Sequence, residues 1–241
     1  MSAAILQVFL FTLPAFGIAT VGAVIAALRP PTDKVTSLIQ HFAAGIVFAA
    51  TALELLPKER TQSPLPVVIG FALGLALMLL VRQVAGTIEK REQASRYPYG
   101  LLLVTAIDLV IDGLVLGMAF SSGEKTGILI AAALTLEVLF LALAISGAMS
   151  KAGIGRAQTM MVPPALALLL TVSAMAGRML FAGLGTFPFT VFLGIGTVAL
   201  LYLVTEELLV EAHEVEETSW AVSAFFAGFL LFLVIEMLVE A

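Results

Sequence analysis

The chain of 241 residues is 61% hydrophobic and only 12% charged, about half the charge of a typical soluble domain, and its mean hydropathy of +1.10 points to a bilayer as its solvent. The absence of cysteine excludes disulfides, thiolate metal sites and cysteine nucleophiles, and two histidines are too few for a histidine-rich metal site. The net charge of −5 carries little weight, because in a membrane protein the position of each charge matters more than the sum.

Apolar runs of about 20 residues, long enough to cross a hydrocarbon core, predict an all-α, polytopic membrane protein with eight transmembrane helices. They fall at 3–28, 35–57, 66–86, 99–121, 126–150, 159–184, 189–212 and 219–239. The first run has no basic segment before it and reads as a span, not a cleaved signal peptide. The runs are separated by short polar or Gly/Pro-rich segments such as "RPPTDK", "PKERTQSPLP" and "SSGEKTG". The longest polar stretch, "TIEKREQASRYP", leaves no room for a separate soluble domain. Pro14 and the pair Pro163–Pro164 are expected to kink their helices, which packed spans tolerate.

Orientation follows from the basic residues. The loops after the first, third and fifth spans hold Arg29, Lys34, Lys90, Arg91, Arg96, Lys151 and Arg156, whereas the opposite face holds Lys58, Arg60 and Lys125. The positive-inside rule makes the richer face cytoplasmic and places both termini outside. "LELLPKE" (53–59) near the end of the second span is echoed by "EELLVEA" (206–212) near the end of the seventh. These spans run in opposite senses, so the echo is the pattern an inverted repeat leaves.

The fourth span contains "AIDLVIDGLVLG" (106–117), with Asp108 and Asp112 one helical turn apart on one face. Glu137, in "ALTLEVLFLAL", sits at similar depth in the fifth span, and the short connection makes the two spans antiparallel neighbours. Three carboxylates are thus expected to converge about 15 Å into a core about 30 Å thick. Each acid at the bilayer centre costs roughly 2.5–3.5 kcal/mol. Arg82 and Arg178 lie near span ends, too far away to neutralise them, so the missing positive charge is most simply a cation held by oxygen ligands. A single buried aspartate could be protonated and hydrogen-bonded; three at matched depth favour function. Glu206 and Glu207 in the seventh span are candidates for an inward-facing site. Glu54 and Glu236 lie nearer the outer face, while Glu211, Glu214, Glu216 and Glu217 are expected to be solvated. His41 is expected at the interface.

"HFAAGIVFAATALELLPKE" in the second span, "DLVIDGLVLG" in the fourth and "EELLVEAHE" in the seventh resemble the ZIP (Zrt-, Irt-like) family of divalent metal transporters, over most of the chain. The family's fourth span reads His-Asn-x-x-acid-Gly, which sets Asp108 in the histidine place, Leu109 in the asparagine place and Asp112 in the acid place. In the fifth span Glu137 takes the histidine place, and Val138 and Leu141 replace two glutamates. The family glutamate of the sixth span is absent from "LLLTVSAMAGRMLFAG". Glu207 takes a family metal-contact position. The resemblance implies a ZIP-like bundle and a single transmembrane transporter domain over 1–241. It also implies import of a divalent cation, with Asp108, Asp112, Glu137, Glu206 and Glu207 as metal residues.

The departures imply one principal metal position without nitrogen ligands. That chemistry favours Mn²⁺, Mg²⁺ or Ca²⁺, with Fe²⁺ admitted and Zn²⁺ inherited from the family. The cation is cargo; no resident cofactor and no enzymatic activity are expected. Expected partners are the divalent ion, the lipid bilayer and a second copy of the chain as a homodimer, with no nucleic acid. The expected location is a prokaryotic plasma (inner) membrane. Two other readings remain open: a transport-deficient homologue that binds or senses metal, and an intramembrane aspartyl enzyme. The second is disfavoured because both aspartates stack on one helix instead of facing each other across a cleft.

Overall fold

A computed structural model describes residues 3–91, 97–213, 215 and 218–240, apart from the side chains of 85, 88–91, 211 and 240. Arg96, Glu214, Glu216 and Glu217, and the side chains of Lys90, Arg91 and Glu211, therefore lie outside the described residues. The described chain is all-α, with eight helices long and apolar enough to cross a membrane. They are α1 (Ala3–Leu28), α2 (Asp33–Arg60), α3 (Pro64–Arg91), α4 (Tyr99–Ser122), α5 (Glu124–Lys151), α6 (Arg156–Phe181), α7 (186–212) and α8 (Ser219–Glu240).

The helices overrun several apolar limits because polar residues extend them. Thr32 caps α2, its side chain accepting from Val35 N–H at 3.4 Å, so the helix begins at Asp33 and continues through Lys58 to Arg60. In contrast, α6 stops at Phe181, three residues before the apolar run ends, and Gly183 follows at φ +85°. Glycine adopts that left-handed conformation without a Cβ clash, which makes it a natural helix stop. Helices α1 and α6 run through their prolines without interruption.

Two helices change pitch. Thr51–Leu55 in α2 and Leu203–Leu208 in α7 are π-helical, a wider winding that is rare and concentrates at functional positions. They hold the first residues of the two halves of the sequence echo, with Glu54 on one and Glu206 and Glu207 on the other.

The packing has the same symmetry. The main pairs are α4 with α6, α1 with α5, α2 with α8 and α3 with α7, with α1 also on α6. Exchanging α1 with α6, α2 with α7, α3 with α8 and α4 with α5 maps α1·α5 onto α6·α4 and α2·α8 onto α7·α3. It also maps the smaller junction α2·α5 onto α7·α4. An inverted repeat predicts this pairing. It divides the helices into two groups, α1/α4/α5/α6 and α2/α3/α7/α8, that meet chiefly where α2 crosses α5.

Small residues set the close approaches. A Cβ on Gly113 of α4 would run into Ser173 Oγ and the Leu170 carbonyl of α6, and one on Gly45 of α2 into the Phe225 carbonyl of α8. In lipid, where apolar surface gains nothing by leaving solvent, such backbone contact supplies much of the packing energy. The outward faces of α3 and α8 are lined by exposed residues such as Leu65, Val68, Phe226 and Leu238.

Candidate metal centre

A single residue, Gly123, separates α4 from α5, so the helices return antiparallel and share depth residue by residue. Asp112 lies ten residues before Ser122, Asp108 fourteen before it, and Glu137 thirteen after Glu124. At about 1.5 Å per residue these are ~15, ~21 and ~20 Å from the turn, so Glu137 falls between the two aspartates. All three are buried: Asp108 is 6% exposed, Asp112 2% and Glu137 0%. Each offers a carboxylate oxygen within 4.8 Å of the others.

The spacing fits an ion. Opposite ligands of one octahedral cation lie about 4.0–4.2 Å apart for Mg²⁺ and about 4.6–5.2 Å for Ca²⁺, and adjacent ligands are closer. Two of the three acids also gain no donor from the rest of the protein: Asp112 Oδ2 and both oxygens of Glu137 are buried, and among the described residues the only side-chain hydrogen bond open to them is a proton shared between the two carboxyls themselves. Buried carboxylate oxygens are acceptors that the rest of a protein normally satisfies. The cationic side chains nearest the span ends are engaged elsewhere. Arg82 pairs with Glu206 at 2.9 Å, Arg178 donates to Ser121 Oγ at 2.9 Å, and Lys151 pairs with Asp33 at 3.2 Å.

The structure separates the two acids of α7. Glu207 is close enough to Asp112 and Glu137 to interact with both electrostatically. Glu206 turns to the outer flank of α7 and pairs with Arg82 of α3, their side chains 41% and 65% exposed. It is not brought to the carboxylate cluster.

Three arrangements escaped the sequence reading. His41 is 2% exposed, and its ring packs on that of His213. Glu59 is buried and accepts a 2.6 Å hydrogen bond from Thr197 Oγ1 of α7. Lys58 is held between Glu54, 3.5 Å away, and Thr126 Oγ1, to which it donates, while Thr126 itself donates to Glu54 at 2.9 Å. Each joins residues far apart in the chain, so no local spacing announces it.

One cleft runs toward the cluster without reaching it. With a volume of about 480 Å³, it opens between α2 and α5 at the end carrying residues 30–36 and 147–151. It is lined by Asp33, Gln40, Leu143 and Lys151 among others, and reaches Leu143, less than two turns along α5 from Glu137. In the opposite direction Leu129, Ile130, Ala133 and Leu134, all 1% exposed or less, fill the length of α5 between Glu137 and Thr126.

No protein-family model matches this chain, and a search of curated proteins finds no match either.

Proposed function

We propose that this protein is an integral membrane transporter of divalent metal cations, with its termini outside, that carries the ion toward the basic face. The observation that carries the reading is the meeting of Asp108, Asp112 and Glu137 with no protein cation, among the described residues, to neutralise Asp112 or Glu137. Their oxygens come within 4.8 Å of one another, completely or almost completely buried, and Asp112 Oδ2 and both Glu137 oxygens meet no donor among the described residues beyond a proton the two carboxyls can share. An anionic pocket at that depth is stable only when protonated or filled by a cation. A pocket that alternates between those two states can exchange its contents.

The resemblance of "HFAAGIVFAATALELLPKE", "DLVIDGLVLG" and "EELLVEAHE" to the ZIP family supports the same reading. In it, Asp108, Asp112 and Glu137 hold the ion and Glu207 receives it on the inward side. The all-oxygen pocket favours hard or borderline ions, Mn²⁺, Fe²⁺ or Mg²⁺, and admits Zn²⁺. Movement of the α1/α4/α5/α6 group against the α2/α3/α7/α8 group would close the α2–α5 cleft and expose the cluster to the other side, the alternating access that repeat-built transporters use.

The test is uptake into proteoliposomes. Asp108→Asn and Glu137→Gln are expected to lower Mn²⁺ or Zn²⁺ flux to that of empty liposomes while the protein stays folded by circular dichroism. Wild-type flux in either variant overturns the assignment. Tight binding of metal by the wild-type protein with no flux would identify a sensor instead. Competition among Zn²⁺, Mn²⁺, Fe²⁺, Mg²⁺ and Cd²⁺ at two pH values then names the ion.

A further inference from the structure

His41 Nδ1 lies 2.8 Å from the Ser37 carbonyl oxygen, one turn earlier on α2. A carbonyl only accepts, so Nδ1 carries a proton, and Nε2 is the nitrogen left to offer a lone pair to a ligand. That Nε2 is buried and meets no hydrogen-bond partner among the described residues. Beside the ring stands His213, at the end of α7, with ring centres 5.1 Å apart and planes at 79°. The junction is braced, because Ser37 Oγ donates to the Ala212 carbonyl at 2.7 Å. The turn of α2 that orients His41 therefore also holds the end of α7 that presents His213.

An imidazole with one nitrogen anchored by N–H to a carbonyl and the other left bare is how metal-ligating histidines are prepared. Two imidazoles bound to one tetrahedral ion at ~2.0–2.1 Å have their ring centres roughly 5–5.5 Å apart, and the separation here matches. We propose that His41 Nε2 and His213 together bind a transition-metal ion at the basic end of the bundle, distinct from the carboxylate centre. Because His213 is exposed, water completes the coordination. Nitrogen ligands select Zn²⁺, Co²⁺, Ni²⁺ or Cu²⁺ over Mg²⁺ and Ca²⁺, so this pair discriminates where three carboxylates do not. Its use as a stopping place for the ion on the inward side rests on the transport reading above; the binding itself does not.

Because the chain holds only two histidines, protein labelled with ¹⁵N in histidine and purified without a polyhistidine tag gives a spectrum of two rings. Zn²⁺ is expected to shift the Nε2 resonance of His41 and a ring nitrogen of His213 together, and Mg²⁺ to shift neither. The double variant Asp108→Asn/Glu137→Gln is expected to keep this response and to bind one Zn²⁺ per chain. His213→Ala, at an exposed position that leaves the core intact, is expected to abolish the response of His41 and to lower wild-type stoichiometry from two Zn²⁺ to one. An unaltered histidine spectrum at saturating Zn²⁺, or unchanged stoichiometry in His213→Ala, overturns the proposal. If instead Glu137→Gln transports normally while the histidine response persists, the carboxylate assignment fails and the histidine site stands.

Discussion

Asp112 and Glu137 face one another from antiparallel helices joined by one residue, and among the described residues the Glu137 oxygens and Asp112 Oδ2 meet no donor beyond a proton shared between the two carboxyls. Like charges at this range and burial work against the metal-free fold. Glu137→Gln is therefore expected to raise the melting temperature of the protein in chelator. The wild type should regain the difference on adding Mn²⁺, since ligand at a hundred times its Kd stabilises by about 2.7 kcal/mol, whereas the variant should gain nothing. A differential scan in detergent, with and without metal, checks both halves. A lower melting temperature for Glu137→Gln in chelator would mean that the carboxylate is satisfied by the protein.

The second prediction separates neighbours on α7. Glu207 interacts with the cluster, while Glu206 is tied to Arg82 on the outer flank. Glu207→Gln is expected to lower metal flux by about tenfold, the effect of losing roughly 1.4 kcal/mol of interaction with the moving ion. Glu206→Gln, which breaks an exposed pair of the kind usually contributing no more than about 1 kcal/mol, is expected to leave flux within about twofold. Equal losses in both variants would place the two acids on one path.

The contrast marks where the sequence stops speaking. Residues 206 and 207 differ by about 100° on a regular helix, so one of them had to face away. The π-helical turn at Leu203–Leu208 decides which, and nothing in "LVTEELLV" announces that turn. The eight helices, by contrast, were legible as apolar runs, because crossing a membrane dictates length and hydropathy directly. The Asp108, Asp112 and Glu137 meeting was legible for a related reason: with α4 and α5 joined tightly, counting residues from the turn gives depth. Their helical face was legible for the aspartates, four apart, but not for Glu137, whose direction depends on packing. The His41–His213 contact spans two helices that are remote in sequence, and only the fold brings them together.

A third prediction concerns the packing that holds α4, and with it the aspartates, against α6. Gly113 has no room for a Cβ beside Ser173 and Leu170, whereas a Cβ at Gly86 of α3 would meet nothing. Gly113→Val is expected to destabilise the protein by about 1–3 kcal/mol through overpacking and to abolish metal binding by shifting Asp112, the preceding residue. Gly86→Ala is expected to be neutral or stabilising by up to about 1 kcal/mol, since alanine is the better helix former. Thermal melts of the two variants, with metal binding measured on the folded fraction, test the assignment of that contact.

The last prediction concerns how the closed side of the bundle opens. Lys58 and Glu54 belong to α2, in one helix group, and Thr126 belongs to α5, in the other. The three are mutually bonded: Thr126 donates to Glu54 at 2.9 Å, and Lys58 reaches both. Directly beneath them Leu129, Ile130, Ala133 and Leu134 seal the way to Glu137. Any motion that exposes the carboxylates on this side must part α2 from α5 here, and so must break a charge-assisted contact of about 1.5–3 kcal/mol. Lys58→Met is expected to shift the population toward the open form. A single cysteine introduced at Ala133 reports on it without background, because the chain has no cysteine of its own. Labelling of that cysteine by a membrane-impermeant thiol reagent should rise by about tenfold in Lys58→Met, the factor that ~1.4 kcal/mol corresponds to. Metal added from the opposite side should slow the labelling again if it favours the form closed here. Unchanged labelling in Lys58→Met and in Thr126→Val would show that the apolar plug alone holds this side shut.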